Sequence, residues 1–270
     1  MEKFKITCTD DNKIFVVTSA FSKLCNKFKS LKTQKGRIIH IIGAPGTGKS
    51  SNIYHANNLL DLNIYDVELK LENINLSANE VFDEFINTLK REFNVNTKEE
   101  AYHKLSKFDA ILFADKLFDY GSLRENRIEL SEWLRCNRLK SIILYFKIIY
   151  ECLKYLNNLK EVNLIFHTTW SFVINNKKYD LFSDFNLLSL LLKNLLKLFF
   201  EVVEIGYTEM ETIEIVKSHF EGITESQITP YIKKYGHRPR YILEAIKNNL
   251  ITLRTSHSNF KSIDPVCKPR

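Results

Sequence analysis

Apolar residues recur along this chain in two alternating rhythms. Short runs rich in β-branched and aromatic residues, "GRIIHII", "LNIYDVELKL", "DAILFA", "EVNLIFH" and "FEVVEIGY", have the length and composition of buried strands. Between them lie longer stretches with apolar positions three and four apart: "SAFSKLCNKFKSL", "KSSNIYHANNLL", "SANEVFDEFINTLKREF", "SIILYFKIIYECLKYL" and "DFNLLSLLLKNLLKLFF". Strands alternating with helices predict an α/β fold, a parallel sheet with helices on both faces in three αβα layers. In the second helix Ile53, Ala56, Leu59 and Leu60 can share a face. In the third, Ser77 and Glu80 stand at capping-box spacing, and Val81, Phe85 and Leu89 recur on one side.

After Tyr207 the strand rhythm stops. Thr208 and Glu211 form a second capping box, Thr229 and Pro230 read as the N-cap and first residue of a further helix that closes on Gly236, and "RPRYILEAIKNNL" is a last amphipathic helix. This predicts a small helical lid over residues 208–250, following a sheet domain over 1–207 and preceding a basic tail over 251–270.

The densest chemistry lies between the first strand and its helix. Three of the eight glycines fall in "GAPGTGKS", Gly43 to Ser50, which fits the pattern G-x-x-x-x-G-K-[ST] in full. Glycines let the backbone turn successive N–H groups inward to form an anion nest, and the nest opens on a helix N-terminus that favours phosphate. Gly43, Ala44, Pro45, Gly46, Thr47, Gly48, Lys49, Ser50 and Ser51 are therefore the expected nucleotide-binding residues. Lys49 would reach the β and γ phosphates, and the Ser50 hydroxyl would ligate Mg²⁺. ATP and Mg²⁺ are the expected cofactors.

Composition narrows the rest. The apolar stretches Ser141–Leu156 and Leu187–Phe200 are interrupted by Lys147, Glu151, Lys193 and Lys197, which reads as buried core helices too short and too polar to span a bilayer. With no apolar leader at the N-terminus, a cytoplasmic protein is expected. The five cysteines are scattered, without ligand spacing. A net charge of +7 and an isoelectric point of about 9.0 suit an anionic partner without requiring one.

Asp115 ends the strand "DAILFA", where an acid can hold Mg²⁺ through water; capping of the following helix is the alternative. The stretch from Arg124 to Arg138 carries Arg124, Arg127, Arg135 and Arg138 around Trp133. Arginines with an aromatic suit a phosphate backbone, a stacked base or an acidic protein face, while Glu125, Glu129 and Glu132 offer local ion pairs instead. DNA or a protein is thus the candidate partner of that stretch, and an oligomer is compatible with it.

The loop "GAPGTGKS", the strand ending in an acid, the later strand ending in threonine and the lid turn "YGHRPR" together resemble the AAA+ superfamily of P-loop ATPases over about Gly36 to Leu250. Within it, "FEVVEIGYTEMETIEIVKSHF" and "YGHRPRYILEAI" resemble the ATPase modules of replication-origin initiators and related signalling ATPases. The resemblance implies ATP hydrolysis, with Lys49 and Ser50 at phosphate and Mg²⁺ and Asp115 as the metal acid. Thr168 or Thr169 would stand where a polar residue senses the γ-phosphate, and Arg240 or Arg238 would reach the same phosphate from the lid. One departure is chemical: the glutamate that normally follows the metal acid to orient the attacking water is replaced by Lys116. Losing a positioned base is worth on the order of 10²–10⁴ in rate, so hydrolysis should be slow. A small-kinase phosphotransferase with Asp66 as acceptor base, and a non-hydrolysing nucleotide-binding module, are the competing expectations.

Overall fold

The computed structural model describes residues 15–67, 69–114, 128–129, 133, 136–155, 157, 160–167, 171–174, 177–198 and 200–259. The five predicted strands all form: β1 (Ile38–Ile42), β2 (Ile64–Asp66), β4 (Ala110–Ala114), β6 (Leu164–His167) and β9 (Glu201–Glu204). They make one parallel sheet in the spatial order β2-β4-β6-β1-β9. Period-two alternation then sorts the side chains between two cores. Ile39, Ile41, Ala110, Leu112 and Ile165 point to one face, and Ile111, Leu164 and Phe166 to the other.

Helices cover both faces, as a parallel sheet requires. Helices α1 (Ser19–Lys29) and α2 (Lys49–Leu60) pack on the first face; α3 (Ala78–Phe93), α4 (Lys98–Leu105) and α5 (Arg138–Lys154) pack on the second. The Ser77–Glu80 capping box is complete, and Val81, Phe85 and Leu89 are buried. In α2, Ile53 and Ala56 are buried as expected but Leu59 is exposed. At about 100° per residue it lies roughly 120° round the helix from Ile53, off the stripe that meets the sheet.

Two helices depart further from expectation. α5 and α6 (Asn186–Lys197) are not buried core helices: Phe146 is 61% exposed and Leu187 81%, with Ile143, Tyr150, Leu191 and Leu195 also exposed. Among the described residues, α5 meets the core through Leu144 and Ile148 and buries Glu151, and α6 buries Ser189, although both sequences are rich in apolar residues. No helix among the described residues is long and apolar enough to cross a membrane.

Two small sheets were not legible in the strand rhythm. The run "LNIYDVELKL" breaks after β2, and its end becomes β3 (Lys70–Leu71), antiparallel to β5 (Ile128–Glu129). β7 (Ser171–Ile174) and β8 (Lys177–Asp180) form an antiparallel pair that registers Ser171 with Asp180. Trp133 is fully buried in the second core and donates from Nε1 to the Leu76 carbonyl at 3.1 Å. It is a packing residue and cannot be a stacking platform for a base.

The segment expected to be a lid, called the lid below, consists of α7 (Glu209–His219), α8 (Glu225–Tyr235) and α9 (Pro239–Asn259). The Thr208–Glu211 capping box forms, and Glu211 also accepts the Ser19 N–H at 2.8 Å, tying α7 to the start of α1. α8 begins at Glu225 behind a Thr224–Gln227 capping box, so Thr229 and Pro230 lie inside it; the earlier box satisfies the first-turn amides before the proline is reached. Gly236 takes a left-handed φ of 68° at its end, and α9 continues to Asn259. Ile213, Val216, Ile228, Ile232, Ile242 and Ile246 form the lid's own core.

Candidate functional site

β1 delivers its last residue, Ile42, to a loop whose shape rests on three glycines. Gly46 and Gly48 have φ of 88° and 71°, where a side chain is strained, and Gly48 is the N-cap of α2. A Cβ on Gly43 would stand 2.4 Å from the Ile205 carbonyl oxygen, so only glycine fits against β9's exit. Thr47 braces the loop from inside, its hydroxyl donating to the Ala44 carbonyl at 2.9 Å.

Lys49 is buried, and its Nζ donates to the carbonyls of Gly43 at 2.6 Å and Ala44 at 3.1 Å. The ammonium thus folds back on its own loop, holding a place that phosphate oxygens would compete for. Ser50 and Ser51 follow in the first turn of α2, Ser50 exposed. Asn52 donates to the Gly48 carbonyl and to the Tyr207 hydroxyl, both at 2.9 Å, which pins the loop to the hinge between sheet and lid. Glycine-only backbone, a buried lysine and a hydroxyl at a helix N-terminus fit a magnesium–triphosphate group.

The register of the sheet sets the rest of the rim. Ile41 and Ala114 both pair with His167, so β1, β4 and β6 end at one level. Asp115 and Thr168 each come one residue after this level; both, with Lys116 and Thr169, lie outside the described residues. So do Arg124, Arg127 and Arg135, while Arg138 opens α5.

The lid touches the loop directly. The Arg240 N–H donates to the Gly46 carbonyl at 3.1 Å, and a Cβ on Gly46 would meet the Tyr241 ring at 3.3 Å. The Arg240 side chain, 48% exposed, pairs with Glu244 one turn along at 3.0 Å. Arg238 is 14% exposed, and one guanidinium nitrogen lies 2.6 and 2.9 Å from the two carboxylate oxygens of Asp184. Of the two arginines weighed from the sequence, Arg240 touches the loop through its backbone, and Arg238 is engaged beside α6.

Sequence reasoning missed three contributors. Tyr207 and Tyr241 flank the loop from the lid side, and Asp180, at the end of β8, is fully buried in the field of Lys49. Burial holds the Asp180 carboxyl above the usual range, against the lowering effects of the Ser183 hydroxyl and Lys49. Burial, then the charges of Lys49 and His40, drive His167 down to about 3, and burial drives His40 to about 4. Both rings are neutral at pH 7. The signal for the β7–β8 pair was weak: "SFVI" is β-rich but "KKYD" is not, with Asn175 and Asn176 between them.

No family model matches the chain, and no curated protein matches its sequence. Solved structures are similar to it at the level of fold. A DNA replication initiation factor is 18% identical, with a TM-score of 0.43 over 88% of this chain and 63% of its own. The replication initiator DnaA bound to AMPPCP and single-stranded DNA is 19% identical, with a TM-score of 0.43 and coverage of 88% and 63%. AMPPCP-bound DnaA from Aquifex aeolicus is 18% identical, with a TM-score of 0.42 and coverage of 89% and 64%. The chain spans less than two thirds of the length of these proteins.

Proposed function

We propose that the chain is an ATP-binding, AAA+-like ATPase that works as a nucleotide switch. One observation carries this reading. The lid rests on the phosphate loop itself, through the Arg240 N–H on Gly46 and the Tyr241 ring against the same glycine. A triphosphate entering the nest changes the loop that the lid sits on, so occupancy is converted into lid position.

The nucleotide would be held by the Gly43–Gly48 amides, Lys49, Ser50 and Ser51, with Mg²⁺ on Ser50 and, through water, Asp115. Bound Mg²⁺ supplies charge neutralisation on the phosphates. Lys49 would leave the Gly43 and Ala44 carbonyls for phosphate oxygens, and Thr168 and Arg240 would sense the γ-phosphate. Lys116 in place of a glutamate supports slow turnover, which suits a switch.

The output would be read by DNA or a protein through the Arg124–Arg138 region. Along the β9 edge, Lys27 and Arg37 pair with Glu201 and Lys193 with Glu204, so these three basic side chains already have acidic partners.

The test is calorimetric titration of Mg-ATP and a non-hydrolysable analogue, with phosphate release followed separately. Saturable binding with slow release is expected. No binding by the wild-type chain would overturn the reading, and transfer of phosphate to an added acceptor would favour the phosphotransferase.

A further inference from the structure

Asp180 is the fully buried acid of the β8 end, and its two oxygens are treated differently. Oδ2 accepts the Phe182 N–H at 3.2 Å and the Ser183 hydroxyl at 3.0 Å. Oδ1 is buried with no hydrogen-bond partner among the described residues. An unsatisfied carboxylate oxygen in a folded interior is expensive, and its retention calls for a function. The neighbouring charge is informative. Lys49, the lysine of the phosphate loop, acts on Asp180 as an opposite charge. The same lysine acts on His167, where β6 ends level with β1. The geometry agrees: Asp184, bonded to the Asp180 N–H, holds Arg238, two residues before the Arg240 N–H that touches Gly46 of the loop.

On its other side the residue is wired to the lid. The Asp180 N–H donates to Asp184 Oδ2 at 2.7 Å. The Ser183 hydroxyl lies 3.0 Å from Asp180 Oδ2 and 3.2 Å from Asp184 Oδ1, and its single proton serves one carboxylate at a time. Asp184 in turn holds Arg238, the residue before α9 starts. From Asp180 to the lid arginine, polar contacts run through Ser183 and Asp184.

We propose that Asp180 is a further acid of the nucleotide site, and that Ser183 and Asp184 relay its position to Arg238 of the lid. This rests on the phosphate loop being a nucleotide site. A buried carboxylate opposes a bare triphosphate by like-charge repulsion and favours the same group once a divalent cation neutralises it. Asp180 thus selects the magnesium–nucleoside triphosphate over the metal-free nucleotide, and its displacement on binding frees or tightens the Asp184–Arg238 contact.

The experiment measures dissociation constants of a non-hydrolysable ATP analogue in millimolar Mg²⁺ and in chelator, by calorimetry, for wild type, Lys49→Ala and Asp180→Asn. Asparagine keeps an acceptor for the Phe182 N–H and removes the charge. The affinity ratio, metal-loaded over metal-free, is expected to fall about tenfold in Asp180→Asn, the effect of one unit charge at a few ångströms in a partly screened site. Nucleotide-induced protection of the Arg240 amide in hydrogen exchange should be lost in the same variant. A folded Asp180→Asn with the wild-type ratio overturns the proposal. Should that variant fail to fold, Ser183→Ala keeps the charge and cuts the relay, and nucleotide-induced protection of the Arg240 amide equal to that of wild type overturns the proposal equally. Wild type that binds no nucleotide sinks the functional reading itself. Binding that is lost in Lys49→Ala but indifferent to Asp180 sinks only this inference.

Discussion

From Gly43 to Lys49 the groups offered to a ligand are mostly main-chain amides, shaped by glycine and opened onto a helix N-terminus. From Asp180 to Asp184 they are side-chain carboxylates and a hydroxyl, held by one another and by an arginine from the lid. The two segments meet in the field of one ammonium, that of Lys49. A backbone nest needs particular conformations at particular positions, so it leaves a fixed spacing in the sequence. A side-chain cluster needs only that tertiary packing bring the right groups together, so it leaves none. The comparison teaches that a fixed spacing marks what would bind phosphate under the proposed function, while the parts that could make binding conditional are placed by the fold.

The sharpest way to break this division is to remove the lysine that both segments share. Lys49→Ala should reduce affinity for a magnesium–ATP analogue at least about a hundredfold, since two charge-assisted hydrogen bonds are worth roughly 1.5–3 kcal/mol each. Calorimetric titration checks this. A loss below tenfold would mean that the amides alone hold the phosphates and that Lys49 serves the empty loop.

The next effect lies behind the site, in the two buried histidines. A histidine whose folded pKa is depressed takes up its proton more readily in the unfolded chain. Stability is therefore fully present above about pH 6.5 and falls as the pH drops toward about 4 for His40. Each such group contributes about 1.4 kcal/mol per pH unit within that window. Urea unfolding at pH 7 and pH 5 should show a loss of about 2 kcal/mol from His40, and His40→Leu should remove that share of the slope. An identical slope in the variant would show that the ring, which stands 5.4 Å from the Phe200 ring, charges without unfolding the strand.

Gly46→Ala probes the contact between loop and lid. The residue sits at φ 88°, which costs an alanine about 1–2 kcal/mol, and its Cβ would press on the Tyr241 ring at 3.3 Å. A lower urea midpoint together with faster exchange of the Arg240 amide is expected. A lower midpoint without faster exchange would mean that the strain stays in the loop and the lid does not depend on it.

The sheet, the phosphate loop, the capping boxes at Ser77 and Thr208 and the helix α2 were legible because each is decided by residues close in sequence. The rest failed for identifiable reasons. Thr229–Pro230 looked like a helix start because proline suits a first turn, yet the Thr224–Gln227 box one turn earlier already satisfied the first-turn amides. α5 and α6 looked buried because they are apolar on every side, but how many sides are covered depends on neighbours that periodicity does not encode. Trp133 looked available between arginines, and its burial under α3's approach was decided by Leu76, far away in sequence. Asp180 was not singled out, because two short runs spaced by Asn175 and Asn176 are a weak signal beside a full phosphate-loop pattern.

Arg240→Ala is the mildest change and separates two ways in which one residue can serve the lid. Its side chain is half exposed and pairs with Glu244 in the i,i+4 arrangement, worth about 0.3–0.5 kcal/mol. Its N–H, which alanine retains, is what touches Gly46. The variant should therefore unfold within about 0.5 kcal/mol of wild type and keep the Arg240-position amide protected in the nucleotide-free protein. A larger loss of protection would show that the guanidinium helps to seat the lid. If stability and protection both hold while affinity for the ATP analogue falls, the side chain acts on phosphate alone, and the lid is docked by backbone and Tyr241 as the geometry implies.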